Sequence, residues 1–180
     1  MKAGVFYKEG DIRFDDFADP VCGDDDVIIK VKAAGICGSD PPRILNLWKY
    51  PRPQVPGHEF AGTIAEVGKN VKNFKLDDAV VAQPLIPCRK CENCEEGHFS
   101  MCNDMQMLGA DLPGGFAQYV RVPATNIQHI ECENLEEAAL IEPCAVALYG
   151  VLGIRPEIGD TVAILGCGTI GQLVLQWFRL

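Results

Sequence analysis

Four cysteines in one short, turn-rich stretch constrain this chain more than any other feature. Cys88, Cys91, Cys94 and Cys102 form a C-x2-C-x2-C-x7-C pattern inside PCRKCENCEEGHFSMC. Four thiolates drawn together by a tight loop supply the closed tetrahedral sulfur shell that structural zinc prefers. An iron–sulfur cluster is the alternative, because bacterial ferredoxins also repeat C-x2-C-x2-C. Their fourth cysteine follows after three residues and precedes proline, whereas here the gap is seven and Asn103 follows Cys102. Visible absorbance separates the two. Four unligated surface thiols are a poor reading, since clustered exposed thiols oxidise readily. His98 lies within the loop and, with four sulfurs to hand, reads as a surface residue.

The cysteines number nine, an odd count, and no apolar leader precedes them in MKAGVFYKEGDIRF, which argues against a disulfide framework. Lys and Arg total 16 against 25 Asp and Glu, for a net charge of -9. Such a balance repels phosphate backbones and anionic lipid, so nucleic acid and membrane are excluded as expected partners. No stretch approaches the roughly 18 consecutive apolar residues of a membrane span. The expectation is a cytoplasmic protein that handles a small molecule.

The first 130 residues read as mostly β. Val5–Tyr7 and Ile12–Phe14 flank the turn Glu9-Gly10-Asp11 and suggest a hairpin. Val27–Val31, Phe60–Val67, Ala79–Ala82, Phe116–Val122 and Ile127–Ile130 are further strand candidates. From Leu135 the period becomes helical, with Asn134 as an N-cap and Pro143 as an interruption or kink. Thr161–Leu165 is an apolar run without alternation, suited to a strand buried on both faces of a parallel sheet. A second apolar helix is expected from Gly166 to the last residue.

A second constellation lies upstream of the cysteine loop. Gly57-His58-Glu59-Phe60-Ala61-Gly62 continues to Gly68 and Val71 as G-H-E-x2-G-x5-G-x2-V, and Gly35-Ile36-Cys37-Gly38-Ser39-Asp40 places a thiol in a glycine-loosened loop after a strand. The order and spacing of the GHE signature, the Cys-Gly-Ser-Asp segment and the four-cysteine lobe resemble the zinc-dependent medium-chain alcohol dehydrogenases over essentially the whole chain. Glu142, in Ile141-Glu142-Pro143, matches the position where the polyol (sorbitol) branch carries glutamate and ethanol-type enzymes carry cysteine. Cys37–Ile44, Pro84–Cys88 and Ile141–Pro143 look most like galactitol-1-phosphate 5-dehydrogenases within that branch.

This resemblance implies a GroES-like β-barrel catalytic domain with a structural zinc lobe over residues 1–143, then the first strand and helix of a truncated Rossmann domain over 144–180. It implies two zinc ions, one structural and one catalytic, and NAD or NADP. Cys37, His58 and Glu142 become catalytic zinc ligands, with Cys144 competing for the place of Glu142. Glu59 is a fourth ligand or a nearby carboxylate; in regular strand geometry its side chain would point away from that of His58. Three protein ligands and an open position let zinc polarise a substrate hydroxyl for hydride transfer to nicotinamide. Ser39 matches a proton acceptor and Asp40 a carboxylate that orients the histidine, the plain readings being an N-cap and a solvated turn residue. Many relatives carry a relay histidine where this chain has Pro42. Arg43 is a candidate for holding a substrate phosphate, or simply a solvated arginine. The expected substrate is a polyol or polyol phosphate of galactitol 1-phosphate or sorbitol type, and the expected assembly a homodimer or homotetramer. A non-catalytic zinc module that mediates association is the rival; it leaves Cys37, His58 and Glu142 unexplained.

Gly166-Cys167-Gly168-Thr169-Ile170-Gly171 is a G-x-G-x-x-G sequence, weak alone. Its place between a strand and a helix makes Gly166, Gly168, Thr169, Ile170 and Gly171 candidates for receiving the cofactor pyrophosphate. The acidic residue that holds the ribose is expected about 20 residues further on, and the sequence stops at Leu180. A chain of this extent is therefore expected to be inactive. Cys22, Cys132 and Cys167 read as ordinary thiols.

Overall fold

The computed structural model describes residues 1–47 and 53–180. The expected hairpin forms first: β1 (Lys2–Lys8) pairs antiparallel with β2 (Asp11–Asp16), and Gly10 turns the chain at a φ of 69°. Then come β3 (Asp26–Gly35), the one-turn helix α1 (Asp40–Pro42) with a π-type turn over Arg43–Leu47, β4 (Glu59–Val67) and β5 (Ala79–Ala82). The cysteine loop follows, with β6 (Leu85–Ile86), α2 (Glu92–Glu95) and β7 (Gln106–Met107), and after it β8 (Tyr119–Pro123) and β9 (Ile127–His129). Three helices close the described chain: α3 (Leu135–Ala138), α4 (Ile141–Ile154) and α5 (Thr169–Trp177). None of the helices among the described residues is long and apolar enough to cross a membrane.

The centre is a five-stranded antiparallel sheet in the order β8-β3-β4-β5-β9. Its inner face is the core: Val27, Ile29, Phe60, Ile64, Val80, Val120 and Val122 alternate along their strands and meet Leu108 and Ile127. The β-rich class is as expected, but the barrel is only half closed, because no ladder joins β8 to β9 among the described residues. The hairpin docks on the sheet's flank through Gly4 N–H to the Phe116 carbonyl (2.7 Å) and reciprocal bonds between Phe6 and Gln54. Residues 116–118 are thereby drawn toward β1, and β8 begins at Tyr119, later than the sequence suggests.

Two bulges bend β3 against β4, between Ile28 and Ile29 and between Val31 and Ala33. The second lies just before the loop that carries Cys37, where an extra residue re-aims the end of the strand. Gly62, opposite Val31, lets the two backbones approach: a Cβ there would run into the Lys30 carbonyl and meet Ile29 Cγ2 at 2.9 Å. Backbone cannot swing aside as a side-chain tip can. Gly62→Ala is therefore expected to lower stability by about 2–3 kcal/mol, the upper range for overpacking, read as a lower urea midpoint.

The helical region differs from expectation in two places. The interruption expected at Pro143 falls earlier, at Ala139–Leu140, and divides the region from Leu135 into two helices. Asn134 caps α3 as expected, its side chain accepting from Glu136 N–H at 3.0 Å. Pro143 sits in the first turn of α4, where its missing N–H is harmless; continuing the helix backward would set its ring against the Ala139 carbonyl. Thr161–Leu165, expected as a buried strand, joins no ladder, and Leu165 is fully exposed. A strand exists only through its hydrogen-bonded neighbours, and none lies beside this segment among the described residues.

Candidate metal centres and glycine loop

The four-cysteine lobe is clamped at its base by the β6–β7 ladder, Leu85 to Met107 and Ile86 to Gln106. Cys88 follows β6, Cys91 opens α2, Cys94 lies one helical turn on within it, and Cys102 ends a 3₁₀ turn over Phe99–Met101. Spacing of three residues over one turn brings Cys91 and Cys94 to the same side. The four sulfurs all lie within 4.8 Å of one another, with Cys91 and Cys102 at 4.0 Å. Tetrahedral zinc with Zn–S near 2.3 Å needs sulfurs about 3.8 Å apart, so the set fits.

Backbone N–H groups already point at these sulfurs. Cys88 and Asp104 donate to Cys102 Sγ at 3.2 and 3.4 Å, and its pKa falls. The amides of Asn103 and Cys94 pull the Cys91 thiol down to about 6, while burial and hydrogen bonds with the Cys91 and Cys102 sulfurs push Cys94 up to about 12. Without metal the shared site thus favours the thiolate most at Cys91 and least at the buried Cys94. His98 stays outside the cluster, exposed and 3.5 Å from Glu96. Arg89, at a left-handed φ of 57°, stacks on Phe99 at 5.1 Å and donates to the Thr125 carbonyl at 3.4 Å, tying the lobe to the sheet.

The second cluster is built where β3 ends and β4 begins. Cys37 comes from the loop after β3, and donor atoms of Cys37, His58 and Glu59 lie within 4.8 Å of one another. His58 precedes the β4 ladder, behind Gly57 at a φ of 93°, so strand alternation does not reach it. The imidazole and the Glu59 carboxylate accordingly converge, contrary to what regular strand geometry implies. Both are buried, at 4% and 7% exposure. A buried imidazole and carboxylate beside the half-buried thiol are a donor set suited to zinc.

Asp40, 1% exposed, anchors this cluster. Its Oδ2 accepts the Cys37 backbone N–H at 2.9 Å, and its Oδ1 faces His58 Nδ1 at 3.6 Å, too far for a hydrogen bond. Burial lowers the His58 pKa, opposed by Asp40 and reinforced by the Arg43 charge, which keeps the imidazole neutral, the form that ligates metal. Ser39 stands at the N-cap position of α1 but makes no capping bond with its side chain. The half-buried Arg43 brings Nη1 to 4.0 Å from Met107 Sδ.

Glu142, in the first turn of α4, is outside the 4.8 Å group. Burial, and then the Glu59 charge, push its pKa up to about 7. A cleft of about 460 Å³ opens beside Glu142, walled by Pro84, Leu85, Gln128, Ala145 and Tyr149. Cys144 joins neither cluster; its carbonyl accepts the Trp177 Nε1–H at 3.1 Å, linking α4 to α5.

At the glycine sequence, Gly166 adopts a φ of 115°, Gly168 occupies the N-cap of α5, and Thr169 and Ile170 open the helix. Gly171 packs so close to the Gly166 carbonyl that a Cβ would overlap it. The tight turn and the close helix approach, two of the tasks set for such glycines, are both present.

Residues 23–132 match the alcohol dehydrogenase GroES-like domain family. Sorbitol dehydrogenase of Bacillus subtilis (strain 168) is 37% identical over 181 residues, covering 97% of this chain and 51% of the relative. The crystal structure of galactitol-1-phosphate dehydrogenase from Escherichia coli superposes with a TM-score of 0.91 at 35% identity, covering 98% of this chain and 52% of that one. A thermostable alcohol dehydrogenase from Pyrobaculum aerophilum, solved with cobalt and zinc bound, gives 0.92 at 30% identity over 99% of this chain and 56% of its own. The chain thus spans about half the length of the relatives it matches. As the family match extends over more than half of the sequence and takes in the cysteine lobe as well as Cys37, His58 and Glu59, the chain belongs to the alcohol dehydrogenase GroES-like domain family.

Proposed function

We propose that Cys37, His58 and Glu59, with Glu142 facing them, form the catalytic zinc site of an NAD(P)-dependent polyol dehydrogenase, and that the four-cysteine lobe holds a structural zinc. The gathering of one half-buried thiol with a buried imidazole and a buried carboxylate carries this reading. Bound zinc supplies Lewis acidity to a substrate hydroxyl. Around it, Asp40 fixes the Cys37 backbone and faces His58. Ser39 accepts the hydroxyl proton and, with Pro42 in place of a relay histidine, passes it to water. Glu142 raises its carboxylate at the edge of the cleft that receives the substrate chain. Gly166, Gly168, Thr169, Ile170 and Gly171 turn amides and a helix N-terminus toward the cofactor pyrophosphate.

The substrate is a polyol or polyol phosphate of galactitol 1-phosphate or sorbitol type, with Arg43 holding the phosphate of the former. The catalytic domain runs over 1–143 and the cofactor domain starts at 144. The protein works in the cytoplasm as a homodimer or homotetramer. The 180 residues alone hold metal without turning over substrate, since their share of the cofactor domain is the greater part of α4, one glycine loop and α5.

Metal analysis of the purified chain tests the centre of this reading: two zinc ions per chain are expected, and a single ion retained by Cys37→Ala. One ion in the unaltered chain favours an association module instead. Measurable NAD(P)H formation by a verified 180-residue chain contradicts the inactivity. For the substrate, oxidation of sorbitol, galactitol, galactitol 1-phosphate and threonine is compared with each cofactor in a protein that joins these residues to a complete cofactor domain. There, Arg43→Ala is expected to weaken the phosphorylated polyol selectively; equal losses on free and phosphorylated polyols remove Arg43 from the phosphate.

A further inference from the structure

We infer that Gly35 is a positioning residue for the metal site, leaving open the space through which the Glu59 carboxylate reaches Cys37 and His58. The inference rests on the reading of that cluster as a metal site. Gly35 is the direct partner of Glu59 across the β3–β4 ladder, and residues directly opposed on antiparallel strands point to the same face. The Glu59 side chain lies over the glycine. A Cβ at position 35 would overlap Oε2 and approach Glu59 Cβ to 3.2 Å.

Backbone conformation gives no other reason for glycine at this position, because Gly35 is the last residue of a strand and is not among the residues with positive φ. The bulge between Val31 and Ala33 completes the argument. With regular pairing from Val31–Gly62 onward, Ala34 would stand opposite Glu59 and present a methyl group to it; the extra residue moves Gly35 there instead.

The obstacle to a Cβ decides what a substitution does. At Gly62 it is a backbone carbonyl, but at Gly35 it is the tip of a flexible side chain, which can swing aside. Gly35→Ala should leave the sheet folded and displace the carboxylate from the cluster.

The test is a cobalt titration of the purified 180-residue chain with its cysteine lobe already loaded with zinc, followed by cobalt d–d absorption and isothermal titration, on the unaltered chain, Gly35→Ala, Glu59→Ala and the double variant. Gly35→Ala is expected to keep its lobe zinc and urea midpoint while losing roughly 10–100-fold in cobalt affinity at the second site, the scale set by groups that orient ligands. The double variant should bind no more weakly than Glu59→Ala alone, because the alanine methyl then has nothing to displace. Unaltered cobalt affinity and spectrum in Gly35→Ala overturn the inference, as do losses that multiply in the double variant. An unaltered chain that takes up only the lobe metal overturns the metal-site reading and this inference with it, a failure seen before any variant is compared.

Discussion

Exchange of Cys94 for serine is expected to cost the chain one bound zinc and to melt the lobe from Cys88 to Asp104 while the five-stranded sheet stays folded. Cys94 is the most buried of the four cysteines, and its sulfur is within 4.8 Å of the other three. The lobe has little else to fold on. Phe99 and Met101 are 41% and 64% exposed, and local polar bonds, such as Asn93 Nδ2 to the Met101 carbonyl at 2.7 Å, stay within the lobe. Structural zinc contributes on the order of 10–16 kcal/mol in small zinc modules, more than such a lobe gains from apolar burial. The sheet, by contrast, keeps its own core of Val27, Ile29, Ile64, Val80, Val120 and Val122. Amide hydrogen exchange checks the result: protection lost over 88–104 and retained over 59–67. Zinc removal by a chelator should reproduce that pattern, and loss of protection in β4 as well would show that the lobe and sheet fold as one unit.

The second large effect is expected from His58→Ala, which should empty the cluster between β3 and β4 and leave the cysteine lobe loaded. Groups that only orient a ligand are worth about 10–100-fold in metal affinity, so losing a ligand should exceed about 100-fold. The chain should then hold one zinc where the unaltered chain is expected to hold two, with exchange protection over 88–104 unchanged. In a protein with a complete cofactor domain, dehydrogenase turnover should fall with the metal. Two zinc ions retained by His58→Ala would remove His58 from the site. The two variants are complementary, since each empties one site and spares the other.

Much of the site was legible in the residues themselves. Cysteine spacing within one loop is a local property, and a tight turn is enough to bring Cys88, Cys91, Cys94 and Cys102 together, as they are found. The nearness of Cys37 and His58 is different, since 21 positions separate them. The sequence marked them only through resemblance, and it is the β3–β4 pairing that joins their loops. Glu59 shows the limit of pattern reading. Strand alternation puts its side chain opposite that of His58, and the argument fails because the ladder starts one residue too late to govern the histidine. Gly35 reads in the sequence only as loosening the loop before Cys37, whereas the structure makes it the last residue of β3, opposite Glu59.

Determined by the sequence alone are the strands of the sheet, the hairpin turn at Gly10, the cap at Asn134 and the sulfur shell of the lobe. Each follows from neighbours within a few positions, where periodicity and turn chemistry act. Tertiary structure decided what depends on distant partners: the late start of β8, which hydrogen bonds to β1 impose, and the unpaired Thr161–Leu165, whose strand character needs a neighbour. It also decided the meeting of Glu59 with Cys37 and His58. Register between two strands places that carboxylate, and register is fixed by a bulge and by the side chains of both strands at once.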